Sequence, residues 1–374
     1  MKRETRRVEL PTGILTVSVE NGLFDLDFLL GFAARANAKR GFLFLSKVLG
    51  KHWPVRPTVM REIHEALASE IPMDLPEPVV FIGMAETAVG LGQGVFEAYI
   101  AARPDKQAMF IHTTRHSIRG ATRIEFEEAH SHAPRQFLHL PDDARLRNLF
   151  LSARSLVLID DEASTGNTFF NLTNACRSLN PAIKHVHLAV ITNFTGKDDL
   201  TRKWGLPVTM GAALNGQFSF VAGQITQSDP GQVFNPHTDN GASGAFGRLG
   251  IASALTTPKG MADTLMLRIH PSETALVLGT GEFMHPAFVL GRFLEAGGID
   301  VMVQSTTRSP ILTGGAVRHA LTFPDNYGEG IANFIYNVTP DQYDHIIICH
   351  ETPVNEPLRG LAARLNAQLL HFQP

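Results

Sequence analysis

The stretch that decides the fold is Leu-Val-Leu-Ile-Asp-Asp-Glu-Ala-Ser-Thr-Gly-Asn-Thr-Phe, residues 156–169. Its first four residues are apolar and predict a buried strand of a parallel sheet. Asp160 and Asp161 end this run, and a small, hydroxyl-rich turn then leads into an apolar helix. A helix N-terminus after a tight turn presents backbone N–H groups and the positive end of the helix dipole, which together bind anions. The stretch therefore predicts an anion site beside two carboxylates.

The ligand that suits this stretch carries a phosphate and neighbouring hydroxyl groups. Paired carboxylates repel an anion, but they accept hydrogen bonds from vicinal hydroxyls or bind a divalent cation. The anion-binding residues predicted in the turn are Ser164, Thr165, Gly166, Asn167 and Thr168. We interpret the combination as a sugar phosphate site, although two acids after a strand also occur in an ordinary helix N-cap region.

The same run resembles the phosphoribosyl pyrophosphate (PRPP) motif of the type I phosphoribosyltransferases: an apolar strand, Asp-Asp, two residues, then Ser/Thr-Thr-Gly-x-Thr. The resemblance implies an α/β fold, a Rossmann-like parallel sheet with an added subdomain called the hood. It also implies that residues 164–168 bind the 5-phosphate of PRPP. Asp160 and Asp161 would hold the ribose hydroxyls directly or through Mg²⁺, the implied cofactor, for which both are candidate metal ligands.

Composition and charge limit the classes of partner. The length of 374 residues favours two domains, and a net charge of −3 argues against a general nucleic-acid surface. Cys176 and Cys349 lie in apolar segments and are expected to be buried thiols of a reducing compartment. The chain has no apolar signal region behind its charged first residues and no run that could span a bilayer. We expect a cytoplasmic protein without nucleic-acid or membrane partners and, from the resemblance, a homodimer.

Two strand ends upstream are candidates for binding pyrophosphate. The apolar run 79–82 leads into Gly83 and a small-residue turn, where the family binds the leaving group through backbone N–H groups. The residues concerned are Met84, Ala85, Glu86 and Thr87. The next strand, 109–111, runs into Thr113-Thr114-Arg115, and Arg115 is the candidate side-chain ligand of pyrophosphate. An ordinary βα turn would give the same pattern after Gly83.

A long polar segment after Arg115, extending to residue 136, is predicted to be an active-site lid. Loss of pyrophosphate requires cations and closure against water, and the family carries those cations on a flexible loop here. Residues 128–133 partly resemble the acid-x-Lys-x-His-Gly pattern of the orotate-type enzymes. His130 stands at the lysine position, so its charge would depend on pH, and His132 matches the histidine. Both are candidate catalytic residues, and a solvated loop is the alternative.

The chain is expected to divide into three regions. Residues 1–205 would form the phosphoribosyltransferase domain, with a hairpin near its start and a hood contribution from the aromatic segment 24–49, expected to be helical or mixed. Residues 57–71 open with Pro-Thr, are followed by Pro72 and predict an amphipathic helix. Residues 206–264 are rich in Gly, Asn, Ser, Thr and Pro and predict irregular hood or connecting structure with short strands, such as one at residues 217–221. Residues 265–374 would form a second α/β domain.

This second domain repeats the plan of the first half in degenerate form. Residues 275–282 resemble residues 79–86, and Thr306-Thr307-Arg308 resembles Thr113-Thr114-Arg115. The last strand, within residues 345–353, stands where the Asp-Asp strand would be but lacks both aspartates. We therefore predict a duplicated domain that cannot bind PRPP in the same way.

Residues 307–310, Thr-Arg-Ser-Pro, also resemble the signature of the TRSP domain. That domain follows a phosphoribosyltransferase domain in proteins encoded with bacterial tellurium-resistance genes, which implies a role in making a nucleoside-like metabolite for a stress response. A possible second ligand site comprises Gly281, Glu282, Thr307, Arg308, Ser309, Asp325 and Tyr327. A catalytically inactive structural domain or dimer interface is equally compatible with these residues.

The function expected from the resemblance is transfer of ribose 5-phosphate from PRPP to an unidentified base-like acceptor, with release of pyrophosphate. A PRPP-binding regulator without catalysis is one alternative, but regulators with this fold need a nucleic-acid surface or an added module. A scaffold that serves as an interaction platform is the other.

Overall fold

The structure, a computed structural model, describes residues 4–35, 40–127, 135–196, 200–223, 242–256 and 259–373. The strands of the first half are β1 (Glu4–Leu10), β2 (Gly13–Gly22), β3 (Leu30–Ala34), β4 (Phe42–Ser46), β5 (Val79–Gly83), β6 (Ala108–His112), β7 (Arg123–Glu127), β8 (Arg135–His139), β9 (Ser155–Ala163), β10 (His185–Asn193) and β11 (Val208–Ala222). Its helices are α1 (Leu26–Leu29), α2 (Pro57–Ser69), α3 (Val89–Ala102), α4 (Ala144–Ser152), α5 (Asn167–Leu179) and α6 (Leu200–Trp204).

The second half is built from shorter strands and three α-helices within the described ranges. The strands are β12 (Thr274–Gly279), β13 (Asp300–Ser305), β14 (Ala320–Pro324), β15 (Ala332–Tyr336), β16 (His345–His350) and β17 (Gln368–His371). The helices are α7 (Lys259–Met266), α8 (His285–Ala296) and α9 (Glu356–Leu365), with a 3₁₀ turn at Pro340–Gln342.

The first sheet has the order β1-β2-β11-β10-β9-β5-β6. Strands β11, β10, β9, β5 and β6 are parallel, and the hairpin β1–β2 adds two antiparallel strands at one edge. Strands β5 and β6 are buried along their whole length, as expected where both faces of a parallel sheet are covered. The chain leaves β5 towards β6 in one direction and leaves β9 towards β10 in the other. The carboxyl ends of β5 and β9 therefore flank the crevice where parallel sheets bind ligands.

Strand β9 confirms the predicted parallel strand but is longer than predicted. The sequence placed its end at Ile159, before the two aspartates. In the structure it continues to Ala163, because β10 pairs with it over that length, with Val190 opposite Asp160 and Thr192 opposite Glu162. The two aspartates therefore belong to the last residues of β9, and the pairing with β10 holds their backbone in a defined position.

The second sheet has the order β13-β12-β16-β17, and all of its strands are parallel. This order equals β6-β5-β9-β10 of the first sheet. Helix α8 follows β12 as α3 follows β5, and the hairpin β14–β15 follows β13 as the hairpin β7–β8 follows β6. The strand order is the one that a duplicated plan requires, and a common origin of the two halves stays a hypothesis.

Part of the segment predicted to be irregular is a regular strand. Strand β11 runs for 15 residues, parallel to β10 and then antiparallel to β2. Glycine-rich composition predicts irregular structure, but in β11 glycine marks a close approach of two strands. A Cβ at Gly216 would lie 2.5 Å from the Ser18 carbonyl oxygen, beside a bulge after Asn215. Glycine in a strand has this meaning when a neighbouring backbone comes near.

The segment 24–49, expected to be helical or mixed, is mixed in its described residues. It contains the short helix α1 and the hairpin β3–β4, whose aromatic side chains pack against the first core. The predicted helix at residues 57–71 is confirmed as α2, and the predicted hairpin near the N-terminus is confirmed as β1–β2. Cys176 and Cys349 are buried free thiols, as expected from their apolar surroundings.

Helix α3 packs so closely on β5 that glycine is needed at the contact. A Cβ at Gly92 would lie 2.7 Å from the Cα atom of Gly83. Because that neighbour is backbone, we expect Gly92→Ala to lower the free energy of unfolding by roughly 1–3 kcal/mol. Equilibrium urea unfolding of the full chain measures this change.

Gly360→Ala is the matched control for this substitution. Gly360 lies on the exposed side of α9, and a Cβ there meets nothing within 4 Å. The added methyl group is expected to stabilise the helix by about 0.5–1 kcal/mol. A Gly92→Ala variant as stable as the wild type would contradict the close packing of α3 on β5.

Candidate active site

The two predicted acids lie side by side at the carboxyl end of β9. Asp160 Oδ1 accepts a hydrogen bond from the Asp161 N–H at 2.9 Å, and Thr192 Oγ1 on β10 donates to the Asp161 carbonyl at 3.2 Å. Both aspartates are half-buried. Both acids therefore lie near the carboxyl end of β9, the strand that borders the crevice between β9 and β5.

The predicted anion-binding turn connects β9 to α5. Gly166 is the N-cap residue of α5 with φ = +71°, a left-handed conformation that glycine adopts without steric cost. The Asn167 N–H donates to Thr165 Oγ1 at 3.3 Å, and Lys203 Nζ donates to Asn167 Oδ1 at 3.1 Å. The turn thus places the N-terminus of a 13-residue helix directly after the two acids.

The predicted pyrophosphate loop, residues 84–87, follows β5 beside the acids. The Met84 N–H donates to the Ile159 carbonyl at 2.9 Å, which ties the loop to β9. The Ala85 N–H donates to Thr113 Oγ1 at 2.8 Å, and Gln136 Nε2 donates to the Ala85 carbonyl at 3.1 Å. The peptide bond between Ala85 and Glu86 is cis. The loop is therefore fixed by strand ends on both sides.

Glu86 in this loop is paired with a lysine that the sequence did not reveal. Lys51 is 1% exposed, its Nζ lies 2.8 Å from Glu86 Oε1, and it also donates to the Gly281 carbonyl at 2.7 Å. Burial alone would raise the pKa of Glu86, but the charges of Lys51 and Arg308 outweigh burial and lower it. Glu86 is thus a carboxylate that fixes the loop through a buried cation.

The turn with Arg115 lies against the second half of the chain. Thr114 Oγ1 donates to Glu282 Oε2 at 2.6 Å, and the Arg115 N–H donates to Glu282 Oε1 at 2.9 Å. Arg115 itself is half-buried between two buried neighbours, Thr114 and His116. Residues predicted for pyrophosphate and residues predicted for a second site therefore form one connected region.

The possible second site holds a buried network of charges. Arg248 is 1% exposed and donates from both terminal nitrogens to the two carboxylate oxygens of Glu351, at 2.7 Å each. Its Nε donates to Glu282 Oε2 at 3.4 Å, and Tyr327 Oη donates to Glu351 Oε1 at 2.8 Å. Burial alone would lower the pKa of Arg248, but the charge and hydrogen bonds of Glu351 outweigh burial and raise it. The guanidinium therefore stays charged.

Glu351, the residue directly after β16, corresponds in position to Asp161 of β9. The register shows this, because Gly83 lies opposite Ile159 and Gly279 lies opposite Cys349, two residues before Glu351. In the second half the side chain of Arg248 therefore neutralises the carboxylate that corresponds to Asp161. The acid at this strand end is thus already paired within the chain.

The remaining residues of the possible second site order a loop. Asp325 accepts hydrogen bonds from the N–H groups of Tyr327, Glu329 and Ile331 at 2.8–3.1 Å. Arg308 pairs with Glu329 at 2.6 Å, and Thr307 exchanges backbone hydrogen bonds with Phe334 on β15. Ser309 Oγ accepts a hydrogen bond from Arg35 in the first half.

Sequence reasoning missed the basic residues that pair with acids of the candidate site and of the second half. Arg40 Nη2 donates to both carboxylate oxygens of Glu162 at 2.7 and 2.8 Å, so a third acid follows Asp160 and Asp161 with its own partner. Burial raises the pKa of Glu162 although Arg40 opposes that effect. The run of three consecutive acids was the available signal for Glu162, whereas nothing local marked Lys51 or Arg248.

The predicted lid is described only in part. Strands β7 and β8 form an antiparallel hairpin on either side of its centre. His130 and His132, with residues 128–134 around them, lie outside the described residues. The hairpin does show that the segment after Arg115 returns to the site, because Phe137 pairs with Thr114.

Comparison with known protein families identifies both halves. A family model described as "Phosphoribosyl transferase" matches residues 29–217, just over half of the chain, and the model "TRSP domain C terminus to PRTase_2" matches residues 246–365. The chain belongs to this phosphoribosyl transferase family. The resemblance read from residues 156–169 and 307–310 is thereby confirmed. A comparison with curated proteins gave no match.

Solved structures similar to this phosphoribosyltransferase include adenine and orotate enzymes. Adenine phosphoribosyltransferase from Thermoanaerobacter pseudethanolicus is 15% identical, with a TM-score of 0.34 over 50% of this chain and 95% of that chain. The Trypanosoma brucei enzyme, in complex with AMP, pyrophosphate and ribose-5-phosphate, is 13% identical, with a TM-score of 0.34 over 56% and 86%. Orotate phosphoribosyltransferase from Francisella tularensis is 13% identical, with a TM-score of 0.28 over 47% and 73%.

Within the described ranges, no helix is long and apolar enough to cross a bilayer.

The buried charge network gives a prediction about stability. Arg248→Met would leave Glu351 and Glu282 buried without their guanidinium partner, so we expect the free energy of unfolding to fall by about 3–5 kcal/mol. Urea unfolding of the full chain measures the loss. Arg318→Met, at an exposed arginine of the same half, is the control and should change stability by less than about 0.5 kcal/mol. Equal stability of the two variants would contradict the role given to Arg248.

Proposed function

We propose that this phosphoribosyltransferase transfers ribose 5-phosphate from PRPP to a base-like acceptor and releases pyrophosphate. The observation that carries the proposal is the joining of three features at one crevice. Two carboxylates lie in the last residues of β9, the N-terminus of α5 follows this strand, and the loop 84–87 follows the neighbouring strand β5. A ligand with a phosphate, a diol and a second anionic group matches this order.

Each group has a role that follows from its chemistry. The N–H groups and hydroxyls of residues 164–168 would bind the 5-phosphate at the start of α5. Asp160 and Asp161 would accept hydrogen bonds from the ribose hydroxyls and favour the positive charge that develops on the ring. The bond from C1 to the pyrophosphate oxygen breaks, a bond from C1 to the acceptor forms, and the acceptor loses a proton. Arg115 and the N–H groups of residues 84–87 would take the charge of the leaving group.

Mg²⁺ fits the donor set at this crevice. Within the described ranges, no group of three or more histidine, cysteine, aspartate or glutamate side chains is arranged to hold a metal. Mg²⁺ usually keeps its waters and binds one or two carboxylates together with substrate phosphates, which is what Asp160 and Asp161 supply. When bound, Mg²⁺ would neutralise charge on the pyrophosphate. The same proposal gives His130 and His132 the role of lid cations.

We further propose that the product is a nucleoside-like metabolite linked to tellurium resistance and stress response, which the TRSP resemblance supports. The enzyme is proposed to be a cytoplasmic homodimer. Incubation of the pure chain with PRPP and a cell extract would identify the acceptor as a compound that gains ribose 5-phosphate in the mass spectrum. Sedimentation of the pure chain would test the dimer.

The two aspartates give the direct test of this proposal. In Asp160→Asn with Asp161→Asn, the carboxylates become amides of the same size, so we expect the fold to persist. Pyrophosphate release from PRPP in the presence of the acceptor should fall by about a hundred-fold or more, because charge stabilisation in the transition state is lost. Release is measured with a coupled pyrophosphate assay.

Asp74→Asn with Asp105→Asn is the control with the same change in charge. Both residues are exposed in loops that precede β5 and β6, at the amino ends of these strands and away from Asp160 and Asp161. Turnover in this variant should therefore be unchanged. Full activity in the Asp160 and Asp161 double variant would refute their assignment. Binding of PRPP by the wild type without turnover on any base would instead favour the regulator, and no binding would favour the scaffold.

A further inference from the structure

We propose that Glu282, in the second half of the chain, is a positioning residue for the pyrophosphate-binding turn of the first half. The inference rests on the proposed function, because it assigns Glu282 to the Arg115 end of that site. Its consequence is that the TRSP half completes the transferase site, whether or not it binds a ligand of its own.

The contacts of Glu282 concentrate on one short turn. One carboxylate oxygen accepts from the Arg115 N–H at 2.9 Å, and the other accepts from Thr114 Oγ1 at 2.6 Å. Thr114 Oγ1 in turn accepts from the His116 N–H at 3.0 Å. Three consecutive residues of the first half are thus held through a single side chain of the second half. Glu282 of the second half therefore fixes the backbone position of Arg115 in the first half.

The adjoining residue reaches the other part of the pyrophosphate region. The Gly281 carbonyl accepts from Lys51 Nζ at 2.7 Å, and Lys51 pairs with Glu86 in the loop 84–87. Residues 281 and 282 therefore connect to both candidate pyrophosphate elements, directly to the Arg115 turn and through Lys51 to the loop. These links join the two elements into one rigid unit.

Stability alone does not explain a charge in this place. Glu282 is 4% exposed, and replacing a buried ion network with apolar side chains of similar volume is often neutral or stabilising. A satisfied buried network does specify one geometry, since each donor and acceptor fits only one arrangement. Arg248 balances the carboxylate, with its Nε 3.4 Å from Glu282 Oε2. The buried negative charge of Glu282 is thereby compensated within the second half.

The experiment compares the binding of two probes to the full chain by calorimetry in the presence of Mg²⁺. Pyrophosphate reports on the Arg115 turn and the loop 84–87, whereas ribose 5-phosphate reports on residues 160–168. In Glu282→Gln the amide nitrogen cannot accept a hydrogen bond from Thr114. We expect the Kd for pyrophosphate to rise about ten-fold and the Kd for ribose 5-phosphate to stay unchanged.

Thr114→Val removes the same contact from the other side. If Glu282 acts through this turn, the double variant should bind pyrophosphate no more weakly than the weaker single variant, because both changes break one link. Glu273→Gln is the control, since Glu273 is a more exposed glutamate of the second half paired with His345. It should leave both dissociation constants at their wild-type values.

Two results would overturn the inference. Unchanged pyrophosphate binding in Glu282→Gln would show that the turn does not depend on it. Equal weakening of both probes would show a general structural role instead of positioning. If the wild type binds neither probe, the proposed function fails and this inference fails with it. If the wild type binds both probes and turns over PRPP, a failure in the variants concerns Glu282 alone.

Discussion

The pairing of β5 with β9 is the constraint on which the candidate site depends. These strands are far apart in sequence, yet their parallel pairing brings Gly83 opposite Ile159. The loop after β5 and the acids in the last residues of β9 therefore lie at the same end of the two strands. Because the chain turns away in opposite directions from the two strands, the crevice between them stays uncovered by a connecting helix. Every candidate ligand contact of the first half is arranged around this pair.

The second half repeats the pairing and uses the resulting edge differently. β12 pairs with β16, and the Gly281 N–H donates to Thr306 Oγ1 at 2.8 Å just as the Ala85 N–H donates to Thr113 Oγ1. The backbone plan is thus kept down to single hydrogen bonds. The side chains at the strand end are different, because Glu351 is paired with a buried arginine. The same geometry that exposes two acids in one half supports a closed ion network in the other.

Sequence reasoning succeeded where the signal was local and failed where partners are distant. The apolar run 156–159, the turn at Gly166 and the start of α2 at Pro57 follow from neighbouring residues, so they could be predicted. The pairs formed by Arg248 with Glu351 and by Lys51 with Glu86 join residues that are far apart in the sequence. No periodicity or turn chemistry encodes such pairs. The length of β11 was missed because glycines beside a close backbone look the same in sequence as glycines in a loop.

The acids at the ends of β9 and β16 differ in burial, and this difference indicates different roles for the two halves of the chain. An ionised carboxylate in a site for a charged ligand must remain accessible, whereas a buried one must be paired to avoid a large desolvation cost. Asp160 and Asp161 meet the first condition, since both are half-buried, and Glu351 with Glu282 meets the second. A network buried in this way is rigid, so it suits a half that supports a neighbouring site better than one that opens for a ligand. Through the contacts of Glu282 with Thr114 and Arg115, the rigid network of the TRSP half supports the Arg115 turn of the transferase half.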